Sequence, residues 1–130
     1  MACFWNGLIS NLEIDDFKPF GIDKKPSPEE FVLLLQSNNV KSACIKWQGE
    51  ELIDFQLEEN YQAVEGYNYK DVNSGYLCST FDPFIFLYAE IFKVNVEHTY
   101  LQTKIVYSHV KNPSRTLKFT SSKGHFQATK

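Results

Sequence analysis

Long apolar runs are missing from this 130-residue sequence: no stretch approaches the roughly 20 apolar residues needed to span a bilayer, so membrane insertion is not expected. Positive charge is also short. Lys and Arg number 13 against 16 Asp and Glu, giving a net charge of −3, which argues against the basic face of a nucleic-acid module. Cysteine is sparse, with Cys3, Cys44 and Cys78 far apart and odd in number. There is no C-x-x-C pair, so a zinc site of ordinary spacing is not expected, and free thiols in a reducing compartment are. The opening residues lack the charged-then-apolar pattern of a secretory leader. Repeats and low-complexity tracts are absent, and the length suits one domain with one core.

Aromatic residues, by contrast, are plentiful: eleven Phe, seven Tyr and two Trp predict an aromatic-rich core. In "ACFWNGLISNL" (2–12), Phe4, Leu8 and Leu12 recur four apart, with Trp5 and Ile9 beside them, forming one apolar helix face. Residues 13–26 mix charges, Gly and Pro and read as a loop. "SPEEFVLLLQ" carries a capping box, with Ser27 as N-cap, Pro28 in the first position and Glu30 reaching back, so a helix should run to about Gln36. A further helix is expected from Glu50 to Glu58, and residues 66–76 read as a polar loop. Asp82 and Pro83 resemble another start signal, ahead of a nearly all-apolar helix from Phe84 to Phe92. After Lys93 the period changes to two, and four β-rich segments follow. Helices first and a small, mostly antiparallel sheet last make an α+β domain.

Cys3 opens the first helix, where free backbone N–H groups and the helix dipole favour a thiolate. A thiol nucleophile needs a base, usually a histidine distant in sequence. His98 and His109 read as a surface residue and a strand-end residue. His125 stands at the start of the last strand, next to Phe126. Cys44 and Cys78 read as buried structural thiols. The acidic stretch Glu50–Glu59 reads first as the solvated side of a helix and otherwise as a surface for a basic partner.

"CFWNGL" (Cys3, Phe4, Trp5, Asn6, Gly7, Leu8) resembles the nucleophile motif of the ovarian-tumour (OTU) cysteine proteases, and "GHF" (Gly124, His125, Phe126) resembles their late histidine motif. The order of elements between them is similar, and only 121 residues separate Cys3 from His125, which resembles the compact versions in replication polyproteins of positive-strand RNA viruses. The resemblance implies a papain-like, OTU-like fold, with residues 1–130 as one protease domain taken from a longer polyprotein. It implies Cys3 as nucleophile and His125 as general base. Phe126, Gly124 and Trp5 would lie at the substrate, with Phe126 walling a channel for a Gly-Gly tail. In the family an Asn or Asp two residues after the histidine orients it. Gln127 stands there, on the side of the strand that His125 faces, and takes that role unless the pair acts as a dyad. The family has an Asp-Gly-Asn-like stretch before the cysteine, which shapes the oxyanion hole; in this sequence Met1 and Ala2 precede Cys3, so either that stretch is trimmed or the hole is built differently.

The implied substrate is ubiquitin or a ubiquitin-like protein, with the protein's own polyprotein as a second one. The expected setting is the host-cell cytoplasm, with a monomer and no metal or other cofactor. A ubiquitin- or partner-binding module of the same fold, without catalysis, is the alternative.

Overall fold

The structure, a computed structural model, describes residues 2–73, 78–122 and 125–129, and for 78–81 the backbone alone. Helices α1 (Cys3–Ser10), α2 (Ile14–Phe17), α3 (Pro28–Ser37), α4 (Asp54–Gly66) and α5 (Cys78–Phe92) pack against strands β1 (Ile45–Trp47), β2 (Glu50–Glu51), β3 (Asn95–Tyr100), β4 (Thr103–His109), β5 (Thr116–Ser122) and β6 (His125–Thr129). The strands form one sheet in the order β2-β1-β4-β3-β5-β6, antiparallel except where β3 and β5 run parallel. The fold is α+β. Among the described residues, no helix is long and apolar enough to cross a membrane.

One face of the sheet is buried. Val96, Tyr107, Leu117, Phe119 and Phe126 turn inward, while Lys118 and Gln127 turn outward. Against the inner face lies α5, whose Phe86 meets Tyr107 and whose Tyr88 meets Phe119, with ring centroids 5.0 and 6.0 Å apart. Tyr88 is wholly buried and donates its hydroxyl to the Leu8 carbonyl at 2.7 Å, tying α5 to α1. A second aromatic group, Phe17, Phe31 and Phe92, fills the space under α2 and α3.

The capping box forms as the sequence indicates: Ser27 Oγ accepts from Glu30 N at 3.2 Å, and Glu30 Oε1 accepts from Ser27 N at 2.9 Å. The Ser27 backbone N–H holds the Glu30 carboxyl below its ordinary pKa. Three other expectations change. Residues 13–26 contain α2 and a 3-10 turn (Lys18–Phe20) ended by Gly21 at φ +78°, because buried Phe17 anchors the segment to the core. The stretch expected as a helix from Glu50 begins as strand β2. Gln48 and Gly49 both have positive φ, as a two-residue hairpin turn demands, and α4 starts only at Asp54. Asp82 does not cap a helix: α5 already begins at Cys78, Pro83 lies inside it, and Asp82 accepts from the Tyr107 hydroxyl at 3.2 Å.

Candidate active site

The position of Cys3 follows from how α1 lies on β6. Gly7 permits the close approach, since a Cβ there would sit 2.9 Å from Phe126 Cδ1 and 3.5 Å from the Ala128 backbone nitrogen. One turn earlier the Phe4 ring meets Phe126 at 4.8 Å. One turn later Asn11 Nδ2 donates to the Lys118 carbonyl at 2.8 Å, and Lys118 pairs with Thr129 at the far end of β6. Helix and strand therefore run in the same direction. The head of α1, with half-buried Cys3, lies at the end of the sheet where Ser122 pairs with His125.

His125 and Gln127 are exposed on the outer face of β6, and Nε2 of His125 lies 3.4 Å from Gln127 Oε1. Both line a shallow depression of about 180 Å³ with Thr120, Ser121 and Ser122. Cys3 and His125 thus reach the same end of β6 from opposite faces of the sheet. A thiol–imidazole contact requires the exposed ring to turn about the strand end, and such contacts often tighten only when substrate is bound.

Trp5 and Phe126, expected at the substrate, are core residues instead. Trp5 is fully buried beside Phe4, Tyr67 and Phe84, and Phe126 is buried between Phe4, Phe119 and His98. Gly124 lies outside the described residues. His98 is no surface residue: it is wholly buried on β3, with Nε2 2.6 Å from Ser121 Oγ and its ring 5.2 Å from that of Phe126. Burial lowers its pKa from 6.5 to about 4.

A second cysteine–histidine group, this one with a carboxylate, was not legible in the sequence, where its members are scattered. Sγ of Cys44, a carboxylate oxygen of Glu90 and a ring nitrogen of His109 lie within 4.8 Å of one another. Cys44 is half-buried rather than buried, and the Cys78 side chain lies outside the described atoms. Lys111 N donates to His109 Nδ1 at 3.1 Å, so the ring hydrogen sits on Nε2, which faces Glu90 Oε2 at 3.9 Å. Glu90 Oε1 accepts from the Cys44 backbone at 2.9 Å. With its lone pair taken by Lys111, His109 offers neither a base to the thiol nor a free nitrogen to a metal. The group ties β1, α5 and β4 together.

No family model matches the chain, and neither a curated protein nor a solved structure matches it.

Proposed function

We propose that this protein is a cysteine-type (iso)peptidase of papain-like, OTU-like design, with Cys3 as nucleophile, His125 as general base and Gln127 as the residue that orients the imidazole. The observation that carries this reading is the parallel course of α1 and β6, which brings the head of the one and the start of the other to one end of the sheet. The His125–Gln127 pair supports it further. If the Gln127 amide oxygen accepts the Nε2 hydrogen, Nδ1 keeps its lone pair and takes the thiol proton. The thiolate then attacks the carbonyl carbon of the scissile bond, and the imidazolium returns its proton to the departing amine. Water hydrolyses the resulting thioester. The positive end of the α1 dipole, at Cys3, favours both the thiolate and the oxyanion.

The choice of substrate, a ubiquitin-type tail ending in Gly-Gly, rests on the resemblance of "CFWNGL" and "GHF" to OTU proteases. The rival reading, a binding module without catalysis, is favoured by the His125 ring resting on the face opposite α1.

Reaction with a ubiquitin probe bearing an electrophile at its C-terminus tests both. Cys3→Ala should abolish the adduct, and His125→Ala should slow its formation about a hundredfold or more. Gln127→Ala should slow it by about tenfold, and Gln127→Asn should restore part of that loss. No adduct despite retained ubiquitin binding would establish the silent module.

A further inference from the structure

At the opposite edge of the sheet from β6, the β1–β2 hairpin, α4 and α5 enclose a groove of about 350 Å³, within the lower part of the usual range for ligand pockets (roughly 300–1,000 Å³). Trp47, Leu52, Ala63 and Phe86 supply its apolar lining, and Gln56 and Glu59 its polar edge. Positions 56, 59, 60 and 63 of α4 all line it, which is one face of that helix. Beside it stand Ile53 and Phe55, 63% and 66% exposed, the two most exposed large apolar side chains among the described residues. Trp47, which lines the groove, is itself 39% exposed, so the groove presents an uncovered aromatic side chain.

The charge that lines the groove is of one sign. Glu50, Glu51, Asp54, Glu58 and Glu59 fall within ten residues that contain no Lys or Arg; Glu59 and Asp82 line the groove itself, and no cation does. One of these acids, Glu58, has a partner in Lys41 at 3.3 Å. Lys46, between Ile45 and Trp47 on β1, turns to the other face of the strand together with its cross-strand partner Glu51, so Glu50, opposite Trp47, is the β2 acid on the groove side. Phosphate backbones are repelled by such a rim, and an uncharged apolar ligand leaves it without a partner.

We propose that this groove docks a basic peptide segment that inserts an apolar side chain beside Trp47, Leu52 and Phe86 and sets Lys or Arg against the acids on either flank. Charge complementarity selects the flanks, and burial of the anchor supplies the hold. Trp47 on β1, which lines the groove, is four strand spacings from β6, about 19 Å, so this proposal does not rest on the peptidase reading.

The test uses the whole protein and a fluorescein-labelled synthetic peptide with one Leu-Phe pair between Lys/Arg triplets, followed by anisotropy. Trp47 emission gives a second signal, because the other tryptophan, Trp5, is fully buried. Saturable binding is expected, weakening about tenfold between 50 and 300 mM salt. Ala63→Trp fills the groove from an exposed helix position and should weaken binding by about tenfold or more. The Asp54→Lys, Glu59→Lys pair should weaken it at least as much at low salt, and Cys3→Ala should leave it unchanged.

Three results overturn the proposal. One is equal binding of a peptide whose Leu-Phe pair is replaced by Ser-Ser, which leaves only surface charge. Another is affinity that Ala63→Trp does not alter in a chain whose circular dichroism and melting remain native. The third is self-association abolished by Ala63→Trp without peptide binding, which makes a second copy the occupant.

Discussion

His98 is a neutral histidine sealed in a hydrophobic layer, and that has a consequence for acid stability. Its folded pKa of about 4 lies below the ordinary 6.5, so between those values the unfolded chain takes up a proton that the folded protein does not. Its contribution is fully present above pH 6.5 and is lost as pH falls toward 4, by about 3 kcal/mol in all. His98→Gln removes the titrating ring while keeping a side chain able to meet Ser121. Urea unfolding at pH 7.5 and 4.5 should show a smaller drop in stability for the variant than for the native protein. An equal drop would mean that other groups set the acid limit. Gly7 is the other position where one side chain decides much. Gly7→Ala gains helix propensity but drives a methyl group into a Phe126 ring held by Phe4 and Phe119. A net cost of about 1–3 kcal/mol is expected, with much of it relieved when Phe126→Leu is added. Denaturant unfolding of the two single variants and the double variant measures that coupling.

Among the elements, α3 starts on a local signal, the Ser27–Glu30 capping box. Ser27→Ala removes the acceptor of the Glu30 N–H and should cost about 1 kcal/mol, read as a shift in the denaturation midpoint. That helix was legible because cap, proline and apolar period all lie within a few residues of one another. The four C-terminal strands were legible for a similar reason, since their alternation is local and turn residues separate them. What the sequence did not reveal depends on partners far along the chain. The start of α4 was misplaced because Gln48-Gly49 makes a hairpin turn whose Gln48 side chain is held by Val106 and Lys104 of β4. The face of His98 was misjudged because β3 is central, and its inward side is fixed by β5 and Phe126 rather than by its own neighbours. At the candidate site, Cys3 and His125 could be picked out by type and position. Their approach from opposite faces of the sheet, and the burial of Trp5 and Phe126, are products of packing that no short motif encodes.

Across the whole molecule, the two candidate surfaces occupy opposite edges of one sheet, joined by α5 and its aromatic contacts to β4 and β5. β6 contributes Phe126 to the core and gives α1 its nearest neighbour. A chain ending after Ser122 should therefore lose the packing of α1 as well as one strand. Its near-ultraviolet circular dichroism should collapse and its thermal transition should broaden, whereas a cooperative native-like transition would show that α1 is held by α5 and α3 alone. The same arrangement imposes an order in time. During synthesis α1 is made before the other described helices and strands, yet β6, the strand that covers its Phe4–Gly7 face, follows all of them. The parallel β3–β5 pairing also spans the whole of β4, a less local contact than the β3–β4 hairpin. Cys3 and His125 consequently reach one end of the sheet only after nearly every other contact exists, so a nascent chain carries the thiol long before the histidine stands near it.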